Sequence, residues 1–197
     1  MPKSIYGYYY CISDGDDLII LDSDKKTEVK RFTFPRQKDR DRLCIADFFT
    51  DKETFNRENK VDTVAFQVVT VGEEASNYAK QLFDEDKYTD YLFFHGFGVE
   101  VAEALAEWTH KRIRTELDFH YDDAKEMKRL LGQGYQGSRY SFGYPACPYL
   151  EDQTKMFDLI KPERIGVSLS ESFQLHPEQS TSAVVVHHPQ SKYFNVS

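Results

Sequence analysis

The chain has 197 residues and is short of cysteine, of tryptophan, of long apolar runs and of positive charge. Each shortage excludes something. Cys11, Cys44 and Cys147 are odd in number and widely spaced, and they make no CxxC pair. A disulfide framework is therefore not expected, and the pattern suits a reducing compartment. No apolar stretch approaches a membrane span, and Met1-Pro-Lys-Ser is not followed by the apolar region of a signal peptide. Lys and Arg total 25 against 33 Asp and Glu, a formal charge of −8. That sign argues against a general nucleic-acid binder. The expectation is a soluble, cytoplasmic protein with neither membrane nor nucleic acid as partner. Aromatic residues, by contrast, are plentiful at 15%. They argue for a packed core, and the length fits one domain over residues 1–197.

Strand formers fill the beginning of the chain. Residues 5–12, 18–21 and 29–34 alternate with the polar turns 13–17 and 22–26, which predicts an antiparallel meander. Residues 61–71 (VDTVAFQVVTV) are almost continuously apolar and predict a central strand, with Gln67 as a satisfied core amide. The basic run 35–42 reads as a solvated face or a docking edge, 43–49 as packing beneath the sheet, and 51–60 as an exposed loop. Helices are predicted over 72–86, over 91–117 (one long helix, or a shorter one starting after Gly98), over 122–131 capped by Asp122 or Asp123, and over 150–160. Two further strands are expected at 165–169 and 183–186, joined through the polar turn 177–182. Strands gathered at the two ends of the chain favour an α+β fold, a twisted and mainly antiparallel sheet with flanking helices, over a doubly wound one.

Several motifs invite chemistry and fail on context. Asp14, Asp16 and Asp17 resemble part of a calcium loop without its later Glu or flanking helices. His95-Gly-Phe-Gly resembles an oxyanion-hole segment, but no G-x-S-x-G accompanies it. Residues 132–137 spell G-x-G-x-x-G after a helix, whereas the dinucleotide fingerprint comes after a strand. His187 and His188 are adjacent in a strand and point to opposite faces, so no metal is assigned to them. Glu103 and Glu107 lie one turn apart on the long helix with Lys111, Arg112 and Arg114. They read as surface ion pairs or, less simply, as an acid–base pair. Trp108 and His110 read as packing residues, and His95 as a capping or core histidine.

Residues 134–148, GYQGSRYSFGYPACP, form the most constrained segment. Three glycines and two prolines stiffen it, and it reads as a rigid loop. Its single charge, Arg139, is surrounded by Tyr135, Tyr140, Phe142 and Tyr144. A guanidinium fork in such a frame can hold a carboxylate through two parallel bonds, while loop backbone groups read a flat base. A plain turn with a surface arginine is the simpler alternative.

The same residues carry a resemblance. RYSFGYPACP, then LEDQ, then IGVSLSESFQLHPEQSTSAVVVHHPQSKYF resembles the activation module of cobalamin-dependent methionine synthase. RFTFPRQ, LCIADFF, VAFQVVTVG and AEALAEWTHKRIRTEL fall in the same order as in that module. The resemblance implies that the chain binds S-adenosylmethionine and presents it to cobalamin on a partner domain or protein, with a flavodoxin-like or other reductase as a further partner. It implies that Arg139 holds the ligand carboxylate. Gly143, Tyr144, Pro145 and Ala146 would shape the adenosine pocket, and Gln133 would stand near the sulfonium. Val185 and Val186 replace a Tyr-Phe pair common in the family, which leaves only backbone contacts there. Glu103 matches an acidic residue near the domain contact. No protein nucleophile is required, because the cofactor carries the methyl-transfer chemistry. The family module also has an N-terminal segment with an acidic ligand for the S-adenosylmethionine amino group. The resemblance does not include that segment, nor any homocysteine, folate or cobalamin domain, so the full synthase reaction is not expected of this chain alone. Three readings are open: a reactivation module, a non-catalytic binding or docking protein of the same fold, and an unrelated enzyme using Glu103 with a histidine.

Overall fold

The computed structural model describes residues 1–39 and 41–196. Arg40, in the basic run, lies outside the described residues. The predicted meander is present: β1 (Lys3–Asp14), β2 (Asp17–Leu21) and β3 (Glu28–Thr33) pair antiparallel in chain order. The β1–β2 turn is two residues long and Gly15 takes the left-handed conformation it requires. Its carboxylates each have a cation: Asp14 pairs with Lys52, Asp16 with Arg36 and Asp17 with Arg31. These pairs account for the acidic turn without a bound ion.

β4 (Asp62–Thr70) is the central strand, as its apolar sequence predicts. It lies between β1 and β8 (Ser180–Val186), and the six-stranded order is β3-β2-β1-β4-β8-β5, antiparallel throughout. The α+β expectation therefore holds. One face of the sheet packs Phe32, Phe66 and Val184 against Met156, Phe157 and Ile160 of α5 (Gln153–Ile160) and against the buried segment Cys44, Ile45 and Ala46. The other face packs Ala65 and Val185 beneath Ile113 of the long helix α3 (Tyr88–Glu116). Each fully buried large apolar side chain on these faces contributes about 1.5–3 kcal/mol relative to exposure.

Several boundaries depart from expectation. α3 begins at Tyr88, ahead of Gly98, after which the shorter alternative would have started. Gly98 lies inside the helix at a close approach: a Cβ there would stand 2.9 Å from Gln179 Cγ. Residues expected as an exposed loop contain α1 (Lys52–Glu58), whose first turn is capped by the Asp51 carboxylate accepting from Thr54 N at 2.8 Å. α2 (Glu73–Asp84) packs against α3 through Tyr78–Phe94 and Phe83–Tyr91 ring contacts. α4 is only Met127–Leu131, entered from Glu126. Asp123 does not cap it, because its carboxylate is used by Arg114. β6 (Ser168–Leu169) and β7 (Leu175–His176) form a small separate hairpin, and β8 starts at Ser180, inside the expected polar turn. Gln67 donates to Ala106 O at 3.3 Å, but its carbonyl oxygen makes no hydrogen bond within the protein. Trp108 is 55% exposed and does not pack, whereas His110 is fully buried.

Candidate functional site

The segment expected as a loop contains the outermost strand, β5 (Ser138–Ser141). Ser138 and Tyr140 are buried on one face, and Arg139 and Ser141 are half-buried on the other. β8 supplies the partner edge, with Arg139 opposite Val185 and Ser138 opposite Val186. Gly137 makes this approach possible: it has φ +88°, and a Cβ there would lie 2.6 Å from Val186 O. Tyr140 anchors the strand by donating its hydroxyl to Lys192 O at 2.9 Å. Arg139 is thus presented from a sheet edge towards α3, not from a free loop.

Arg139 opens into a cavity of about 280 Å³ lined by Glu103 and Glu107 of α3, Gln133, Tyr135, Ser141, Tyr144 and Tyr193. The Arg139 side chain is 18% exposed. Its Nη2 stands 3.5 Å from Glu107 Oε2 and 3.8 Å from Glu103 Oε2, longer than the 2.7–2.9 Å of a good charged hydrogen bond. The two glutamates read as surface pairs with their own helix instead converge on this pocket. Gln133 sits at positive φ and its amide donates to Ser138 Oγ at 3.0 Å. Its side-chain oxygen is left for other partners. Tyr144 is exposed at the rim, and the turn behind it is closed by Gly143 N donating to Cys147 O and Cys147 N donating to Tyr144 O, both at 2.8 Å.

Beneath the pocket lies a second guanidinium, Arg114, which is fully buried. It donates to both Asp123 oxygens at 2.9–3.1 Å and lies over the Tyr135 ring, 3.8 Å from the centroid. The Tyr135 hydroxyl donates to Glu107 Oε2 at 3.0 Å. Burial, reinforced by the Glu107 charge, pushes the Tyr135 phenol up to about 12, so it remains a donor at neutral pH. His110 packs edge-on against Tyr135 with centroids 5.1 Å apart. Its burial and the charges of Arg114 and Arg139 hold its pKa well below the ordinary histidine value, so the ring is neutral. The site is an ordered stack of cation, carboxylate, phenol and cation.

A larger groove of about 430 Å³ runs between α2 and the β7 region, but its His176 is already paired with Glu73 at 3.0 Å. No cluster of three metal-ligating side chains exists among the described residues.

The family described as vitamin B12 dependent methionine synthase, activation domain, matches residues 1–197. The chain belongs to this activation-domain family. Curated methionine synthases of Mycobacterium tuberculosis (strain ATCC 25618 / H37Rv) and Mycobacterium leprae (strain TN) are 48% and 46% identical to it over 200 residues. In both cases the match covers 98% of this chain and 17% of the relative, so the chain spans about one sixth of their length. A crystal structure of the MetH reactivation domain bound to AdoHcy superposes with a TM-score of 0.88 at 27% identity, covering all of this chain and 61% of that one.

For an activation domain, the expected site residues are distributed unevenly. Arg139, Gln133, Tyr144 and Glu103 line the same cavity. Glu103, expected near a domain contact, is 53% exposed at the rim and faces Arg139. Gly143, Pro145, Ala146, Val185 and Val186 are not in the cavity wall. Ala146 is buried beneath the rim turn, while Gly143 and Pro145 are exposed beside Tyr144. The Val185 side chain is buried under α3 and that of Val186 is buried on the opposite face, so only their backbone is left for any role near Arg139. Sequence reasoning named Tyr135 beside Arg139 but missed Tyr193, Ser141, the turn of Glu107 into the pocket and the involvement of Arg114. The tail that carries Tyr193 is drawn in by Lys192, whose Nζ donates to Gln133 O and Tyr135 O at 3.3 Å.

Proposed function

We propose that this chain is the reactivation module of a cobalamin-dependent methionine synthase and binds S-adenosylmethionine at the Arg139 pocket. The observation that carries the reading is Arg139 itself: one under-paired guanidinium, in a polar hollow, in a family whose solved reactivation domain holds AdoHcy. S-adenosylmethionine carries one carboxylate and two cationic groups, an ammonium and a sulfonium. The pocket offers the complement, one guanidinium with the carboxylates of Glu103 and Glu107. Arg139 takes the carboxylate as a fork. Glu103, Glu107 and the Gln133 oxygen face the cationic part. The cavity of about 280 Å³ is small for the whole ligand. The adenosine therefore extends over Tyr144 along the rim turn 143–147, where exposed backbone and the phenol ring can hold a base.

Cobalamin on a partner domain would supply the nucleophile that receives the methyl group, and the leaving group is a neutral thioether. This chain contributes orientation of the methyl group and exclusion of water, which needs no nucleophile of its own. A flavodoxin-like or other reductase completes the proposed assembly by reducing the cofactor on the partner, and the proposed setting is the cytoplasm. Calorimetric titration of S-adenosylmethionine into the wild-type chain and Arg139→Ala tests the reading. Saturable binding is expected for the wild type. The variant is expected to bind about 10–100-fold more weakly, the loss of charged hydrogen bonds worth ~1.5–3 kcal/mol. A folded wild-type chain that does not bind would overturn the ligand assignment and favour a docking scaffold.

A further inference from the structure

The Arg139 pocket contains a carboxylate that is incompletely satisfied on both sides. Glu107 Oε2 receives the Tyr135 hydroxyl at 3.0 Å and a long contact from Arg139 Nη2 at 3.5 Å. Its other oxygen, Oε1, lies 3.5 Å from Arg114 Nη1. Neither Oε1 nor Nη1 makes a hydrogen bond within the protein, although both are buried. Buried charged atoms without hydrogen bonds are costly, and here a donor and an acceptor of opposite charge stand just short of bonding each other. A movement of about 0.6–0.8 Å would bring Oε1, now 3.5 Å away, into the 2.7–2.9 Å range of a charged hydrogen bond with Arg114. On its other side Glu107 is engaged by the Tyr135 hydroxyl and by the long contact to Arg139. The Tyr135 hydroxyl sits at the pivot, bonded to the oxygen that faces Arg139 while its ring lies against Arg114.

We propose that Glu107 is a shared counter-ion that positions Arg139 in the free chain and closes on Arg114 when the Arg139 guanidinium is taken over. The ligand-driven case rests on the reading that Arg139 receives a ligand carboxylate. Glu107 then acts as an internal stand-in for that carboxylate, and occupation of the pocket is passed to the buried pair that joins Arg114 of α3 to Asp123 on the segment after it. Glu103 does not take this role: it is half in solvent and 3.8 Å from Arg139. His110 is neutral and adds no competing charge. The consequence is an ordering of contacts. Ligand binding at Arg139 strengthens the salt bridge between Glu107 and Arg114 behind the pocket wall.

Side-chain NMR of isotope-labelled arginine in the intact chain reads this directly, because Arg114 is fully buried and slow exchange of its guanidinium protons is expected. Arg139→Ala, without ligand, is expected to shift the Arg114 guanidinium signals and slow their rotation. Arg139→Gln serves equally if the alanine variant folds poorly. Adding Glu107→Gln to either is expected to abolish the shift, which a merely structural perturbation at position 139 would not explain. Saturating S-adenosylmethionine on the wild-type chain is expected to move the same signals in the same direction. Arg114 signals unmoved by both Arg139 variants would overturn the shared counter-ion. Signals that move in the variants, in a chain that S-adenosylmethionine does not bind, would uphold the sharing and overturn the ligand reading instead. Binding without movement would overturn the hand-over.

Discussion

Arg36 and Arg139 stand near opposite edges of the sheet, and the protein treats them differently. Arg36, just beyond β3, is saturated: its guanidinium meets Asp16 and both oxygens of Asp47 at 2.7 Å and the Arg42 carbonyl at 2.8 Å. The hydrogen bonds to Asp47, then those to Asp16, hold its charge more firmly than usual despite partial burial. Arg139, on β5, has two carboxylates nearby and a good hydrogen bond to neither. Both are arginines among acids in a chain of net charge −8. One is spent on structure, and the other is held in place and left available. Composition cannot separate them; only distance does. Arg114 is also spent on structure, buried completely with its own aspartate, although its Nη1 makes no hydrogen bond within the protein.

Substitutions at the three arginines should have graded effects. The largest is expected from Arg114→Met. It leaves Asp123 and Glu107 buried without their cation, and a loss of about 3–5 kcal/mol in denaturant-induced unfolding is expected. Arg36→Ala removes well-formed but partly solvated pairs, so a loss of about 1–2 kcal/mol is expected, with ligand affinity unchanged. Arg139→Ala is expected to cost less than about 0.5 kcal/mol in stability, because its pairs are long, while abolishing most binding.

A pH dependence further separates pairs that serve the fold from pairs that do not. Burial alone would raise the Asp62 carboxyl; the hydrogen bond and charge of His187, with the Thr63 and Thr50 N–H groups, outweigh it and hold the pKa below the ordinary value. A depressed native carboxyl contributes stability that is fully present above the unfolded pKa of about 4 and is lost as pH falls through the native one. Unfolding free energy measured down through that window should decline more steeply for the wild type than for Asp62→Asn.

Much of the fold was legible because its strands announce themselves. The near-continuous apolar run around Val64 to Val69 could only be central, and the two acidic or polar turns marked the meander. β5 was not legible: four residues, SRYS, are too few to show a period, and it is a strand only because β8 offers it an edge. Arg139 and Tyr144 stood out as a cation and a ring in a frame of glycine and proline. Glu107, Arg114 and Asp123 did not. On a helix with several cations nearby, Glu107 has ready surface partners in sequence, and nothing local says that Arg114 points inward to an aspartate nine positions on. Helix spacing reports which residues share a side but not whether that side is covered.

We propose that Arg139, and not simply any arginine among acids, is the one reserved for a ligand. Parallel titrations of S-adenosylmethionine into wild type, Arg36→Ala and Arg139→Ala, each first shown to be folded, put that distinction to the test. Matching affinities are predicted for wild type and Arg36→Ala, with the loss confined to Arg139→Ala. Equal affinity in all three, or an equal loss in both variants, would contradict it.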